Sequence, residues 1–105
     1  MKKFEYGIFR DCFFGKETYR NNGNTAIQIY GRYEDDFDEP VSILSVNTEE
    51  TYPDGMFVLK NYGENEDANT LVEQGFFEVM GMQLVGRFVC PVVRITEKFK
   101  EYCCE

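Results

Sequence analysis

The chain has 105 residues, 43% hydrophobic and 16% aromatic, which suits one domain (1–105) with one core and excludes a site walled by two lobes. Its formal net charge is −8, and thirteen acids lie between residues 33 and 86, where Lys60 is the only base. Such a centre would repel phosphates, so direct nucleic-acid binding is not expected; an acidic region attracts basic partners instead.

In chain order, "MKKFEYGIFRDCFF" opens with two lysines, but Glu5, Arg10 and Asp11 interrupt any apolar core, so no secretory signal is read. No run approaches the ~18 apolar residues that cross a bilayer. A cytoplasmic setting is expected, with Cys12, Cys90, Cys103 and Cys104 reduced and the adjacent Cys103 and Cys104 prone to oxidation. Dense aromatics from Phe4 to Phe14, punctuated by Gly7 and Gly15, predict one or two short strands. The turn dipeptide Asn22-Gly23 and the alternation of Thr25, Ile27 and Ile29 against Ala26, Gln28 and Tyr30 predict a β-hairpin across 12–32. Residues 34–40 read as a solvated connector, followed by a strand in "VSILSV", a turn at Pro53-Asp54-Gly55 and a strand in "MFVLK".

A short helix is predicted next. Asn65 is placed as its N-cap, Glu66 and Asp67 in the first turn where the helix dipole favours carboxylates, and Gly75 as its C-terminal cap. Ala68, Leu71 and Val72 share one face, and about ten residues of helix need a sheet to lie on. "FFEVMGM" and "RFVCPVVRI" then form a hairpin joined near "QLVG", with Val89, Val93 and Ile95 on one side. Pro91, lacking a ladder donor, suggests an edge strand or a bulge. The expected fold is α+β: an antiparallel sheet of about five to seven short strands with one short helix packed on it. The tail 97–105 is expected to be flexible or a short helix.

The chemistry is limited by the absence of histidine, which removes Ser-His-Asp and Cys-His sites and His-ligated zinc. The cysteines lack C-x-x-C spacing, no glycine-rich phosphate loop occurs, and neither "DDFDEP" nor "ENED" matches a calcium loop. No catalytic residue, metal or cofactor is expected. Binding remains, with acids interleaved among Tyr30, Tyr33, Phe37, Tyr52 and Tyr62. Two readings stay open: a surface for a cationic groove, or tyrosines that cap the core beneath plain solvent-facing acids.

The segment from Ser45 to Glu78, followed by "FVCPVVRIT", resembles a family of small acidic proteins of unknown function carried on phages and conjugative elements of gut bacteria. The match rests on Val46, Asn47, Phe57, Val58, Lys60, Tyr62, Glu64, Asn65, Glu66, Leu71, Val72, Gly75, Pro91, Val92 and Arg94, within a likeness spanning roughly residues 4 to 96. "EVMGMQLVG" departs from the Thr-Gly turn of relatives, and "EKFKEYCCE" has no counterpart there. In length and acidity the chain is similar to anti-CRISPR proteins active against type II-A effector nucleases. The resemblance implies a non-enzymatic inhibitor, in the cytoplasm of a bacterial host, that binds a CRISPR effector nuclease or its guide complex. The alternative is a mobile-element accessory protein that binds another basic protein. Charge nominates Glu34, Asp35, Asp36, Asp38, Glu39, Glu64, Glu66 and Asp67 as contacts.

Overall fold

The computed structural model describes residues 1–104. Nine strands form two sheets that share a core. The first sheet runs in the order β1 (Phe4–Tyr6), β2 (Phe9–Thr18), β3 (Thr25–Arg32), β4 (Glu39–Ile43), with β9 (Cys103–Cys104) beside β2. The second has the order β5 (Ser45–Val46), β6 (Met56–Leu59), β8 (Phe88–Ile95), β7 (Phe77–Val85). All pairings are antiparallel except β2 with β9, which is parallel.

The α+β class matches the sequence reading, while the single sheet of five to seven strands does not. "VSILSV" is divided at Leu44. Its backbone N–H donates to Ile27 of the first sheet at 2.8 Å, and its carbonyl accepts from Lys60, just after β6, at 2.7 Å. Buried completely, Leu44 is where one continuous segment leaves β4 and enters β5. Alternation along β3 holds as expected, with Thr25, Ile27 and Ile29 all buried. The Pro53 turn also forms: Met56 donates to the Pro53 carbonyl, and Gly55 takes the positive φ of 86° that only glycine adopts without strain.

The core is largely aromatic. Phe14, fully buried on β2, lies 4.6 Å from Phe99, 4.8 Å from Phe4, 5.1 Å from Phe76 and 5.6 Å from Phe77 between ring centroids. Such pairs add about 0.5–1.5 kcal/mol each beyond the area they bury. Phe99 arrives on α2 (Glu97–Glu101), whose N-cap Thr96 accepts from the Phe99 N–H. The tail therefore contains the short helix and also a strand, and it helps to fill the core.

The predicted helix divides into a 3₁₀ turn, Gly63–Ala68, and α1, Asn69–Glu73. Its C-terminal end follows the expectation. Gly75 has φ 88°, its N–H donates to Val72, and Phe76 donates back to Leu71, the paired bonds of a Schellman closure. Asn65 is not an N-cap. Its side chain is buried and points away from the helix: Nδ2 donates to the Ile43 carbonyl at 2.8 Å, and Oδ1 accepts from the Ser42 hydroxyl. It ties the turn to the end of β4.

The last hairpin forms, with Gly86 and Arg87 as its turn and a bulge in β7 between Val79 and Gly81. β8 is not an edge strand, since it lies between β6 and β7. Pro91 is nonetheless tolerated, because β6 pairing stops at Val58 opposite Val92 and leaves β8 one-sided from there.

Replacement of Asn65 by alanine should cost about 1–2 kcal/mol, since it removes a buried amide and its hydrogen bonds to the Ser42 hydroxyl and the Ile43 carbonyl. Asp67→Ala, exposed and uncapping, should change stability far less. Chemical denaturation of the two variants checks this; equal effects would restore a capping role.

Candidate protein-binding surface

The nominated acids occupy two places, one at each end of β4. Glu34, Asp35, Asp36 and Asp38 lie in the β3–β4 connection and Glu39 opens β4. Glu64, Glu66 and Asp67 lie on the 3₁₀ turn, which Asn65 fastens to the far end of β4. Five residues of strand, about 13 Å between first and last Cα, separate the two groups. All eight residues are exposed.

The β3–β4 loop is held by one base from distant sequence, Arg10, and one at its own start, Arg32. Arg10 donates through Nη2 to the Asp35 carbonyl at 2.8 Å and to Asp36 Oδ1 at 3.1 Å, and through Nη1 to Asp11. Arg32 Nε donates to Asp38 Oδ1 at 2.9 Å. Asp35 Oδ1 accepts from the Phe37 N–H, an Asx turn that fixes the local backbone. Glu34 and Glu39 form no ion pair with another described residue. The loop thus spends Asp36 and Asp38 on its own shape and leaves Glu34 and Glu39 for solvent or a partner. Between them Phe37 is 76% exposed, the most open of the chain's large hydrophobic side chains among the described residues.

On the 3₁₀ turn, Lys60 Nζ sits 3.0 Å from Glu64 Oε1. The Glu64 carboxyl is held below its ordinary pKa, first by its own backbone N–H and then by Lys60. Glu66 and Asp67 have no basic partner among the described residues. Elsewhere Lys16 pairs with Asp54 and Arg94 with Glu78. Bases from both ends of the chain therefore fold onto its acidic middle, which linear charge counting does not reveal.

The aromatic residues separate into two groups. Tyr30 stacks on Phe13 at 5.4 Å, Tyr62 lies parallel to Phe88 at 4.3 Å, and the Tyr52 hydroxyl donates to Gln83; these three cap the sheets. Tyr33, half exposed and 6.0 Å from Phe9, and Phe37 remain with the acids. The reading of tyrosines as core caps holds for Tyr52 and Tyr62, which pack on buried Val58, Cys90 and Val92; Tyr30 lies on the outer face of β3, and the reading as contact residues stays available for Tyr33 and Phe37.

Other chemistry is sparse. A groove of about 520 Å³ crosses the outer face of β2 and β3, lined by Phe13, Gly15, Lys16, Tyr30 and Gln28. Gly15 is required there, because a Cβ would stand 2.7 Å from the Tyr30 ring. Two of its polar pairs are engaged: Tyr30 donates to Gln28 at 2.5 Å, and Lys16 pairs with Asp54. No three metal-ligating side chains converge among the described residues, and no helix among them is long and apolar enough to cross a membrane. Cys12 and Cys90 are buried, and burial pushes the Cys12 thiol up to about 11 and raises that of Cys90. Comparison with protein-family models, curated proteins and solved structures returned no match.

Removing both clamps with Arg10→Ala and Arg32→Ala should accelerate amide exchange across residues 34–38 while the amides of β3 at Ile27 and Ile29 stay protected. Equal protection in the variant would mean that the arginines do not shape the loop. Cys12 and Cys90 should resist a disulfide-exchange reagent in the native state at neutral pH and react on unfolding. The linkage has a definite sign: the unfolded Cys12 thiol ionises near 9.0 and the folded one near 11, so its contribution is constant below 9 and stability falls as pH rises between them. A Cys12→Ala variant should show a smaller fall, the remainder coming from Cys90 and the buried tyrosine Tyr6, whose folded forms also ionise at higher pH.

Proposed function

We propose that this protein is a non-enzymatic anti-defence protein, an anti-CRISPR inhibitor that binds a type II-A RNA-guided effector nuclease through its acidic surface and blocks DNA binding or cleavage. The observation that carries the reading is the 34–39 loop, where exposed carboxylates surround Phe37 on a backbone held by Arg10 and Arg32. Such an effector holds guide and target in a positively charged channel and reads a short duplex motif with arginines. Carboxylates offer those arginines the same bidentate acceptor geometry as phosphates. An aromatic anchor inside a charged rim is the usual composition of a binding hot spot, and a loop already fixed in shape loses less entropy on docking. The sequence resemblance supplies the biological setting, and the concentration of acids over residues 33–86 supplies the charge.

In a guided cleavage assay, added protein should reduce cutting of target DNA, and raised salt should weaken the inhibition. Glu34→Lys with Glu39→Lys, and separately Phe37→Ala, should weaken inhibition about tenfold or more, because all three side chains are exposed and leave the fold intact. Adding the protein before or after guide and target locates the blocked step. Unchanged cleavage at large molar excess overturns the proposal, and recovery of a different basic protein from host lysate would favour the accessory-protein role.

A further inference from the structure

The strongest unassigned feature is the outer half of the β7–β8 hairpin. Cross-strand pairing defines one face of it from base to tip: Phe77 with Ile95, Val79 with Val93, Met82 with Pro91, Leu84 with Val89. At the base this is the core face, with Phe77 and Val93 buried against the first sheet's aromatic cluster. Towards the tip the cover thins, although Pro91 opposite Met82 is still buried. Val79 is 47% exposed, Met82 59%, Leu84 65% and Val89 58%. The opposite face is covered by the chain itself, where Tyr62 stacks on Phe88 and Tyr52 bonds Gln83. The uncovered surface is thus a core-type sheet face that continues beyond the core.

Charge selects its occupant. From Val79 to Val93 there is no carboxylate, and the only charge is Arg87 at the turn. A basic protein finds no acid on this arm to pair with, and a phosphate finds one arginine. A second copy of this chain fits better on both counts. Its repulsive acids lie elsewhere, its own bare face is apolar, and its acidic body is opposite in sign to Arg87. The side chains at issue expose on the order of 400 Å² per copy, the scale at which surface patches mark interaction sites, so two copies would bury about 800 Å². That is below the ~1,200 Å² at which standard specific interfaces begin and implies weak, reversible association.

We propose that two copies associate by packing these bare hairpin faces against each other, sheet on sheet at a spacing of about 10 Å, around a twofold axis. Methionine at position 82 suits such a contact, since its unbranched side chain adapts to the facing surface. Net charge works against pairing, so salt should strengthen it, opposite to the salt effect on a cationic partner.

Sedimentation analysis over roughly 5 to 500 µM at low and moderate salt tests this. The average mass should climb from 12.3 kDa towards twice that value, and further at moderate salt. Leu84→Glu and Val89→Glu, each at an exposed position, should move the association midpoint at least tenfold higher, whereas Phe37→Glu should leave it in place. Circular dichroism confirms folding of each variant, and either hairpin variant suffices if the other fails to fold. A purely monomeric wild type across the range overturns the proposal. So does a dimer insensitive to both hairpin substitutions, or one abolished by Phe37→Glu.

Discussion

Leu44 is the residue on which the two halves of the molecule depend. One peptide segment cannot pair along its whole length with two sheets at once, and the chain resolves this within a single residue, whose N–H serves one sheet and whose carbonyl serves the other. Its side chain fills the space between them. Ser45 reinforces the junction, its hydroxyl accepting from the Ile27 N–H at 3.0 Å, and the Gly55 N–H reaches back to the Thr25 hydroxyl at 2.9 Å. With the junction fixed, β4 is oriented, and with β4 the loop before it and the 3₁₀ turn that Asn65 fastens to it. The acids are thus positioned by way of a buried hydrophobic residue.

Much of the local structure was legible in the sequence because its causes are local. The alternation of Thr25, Ile27 and Ile29, the turn at Gly55 and the helix stop at Gly75 each follow from periodicity or from a backbone angle that glycine alone accepts easily. Asn65 shows the limit. Asparagine before two acids is the pattern of an N-cap, yet the same amide can bond any nearby backbone, and here β4 offers the Ser42 hydroxyl and the Ile43 carbonyl, which outcompete the helix end. The sheet switch at Leu44, the parallel strand at 103–104 and the clamp by Arg10 are all contacts between residues far apart in sequence, for which no spacing rule exists.

The same division applies to the acidic surface. Composition located the negative charge, but not how it is divided between holding a shape and facing outward. Asp36 and Asp38 are structural through their arginines, Asp35 through its turn, and the surplus at Glu34 and Glu39 flanks an aromatic ring that gains nothing from its own fold. Exposed ion pairs of this kind contribute little to global stability; their effect is to narrow the conformations of a loop. Charge is arranged here to give a loop form, and the hydrophobic core is left to keep the protein folded.

The parallel pairing of β9 with β2 has a consequence in time as well as in space. Phe14 lies opposite Cys103, and the Phe14 N–H donates to the Tyr102 carbonyl, so this contact closes a loop of roughly ninety residues. The ring at the centre of the aromatic cluster therefore receives one of its closest neighbours, Phe99, only after nearly the whole chain has been made. A polypeptide emerging from a ribosome can form the β2–β3 hairpin early, but that hairpin must hold an incompletely covered Phe14 while some seventy further residues follow. Completion of the core therefore waits on synthesis of residues 97–104. That gives the nascent protein an interval in which its central ring remains open to chaperones.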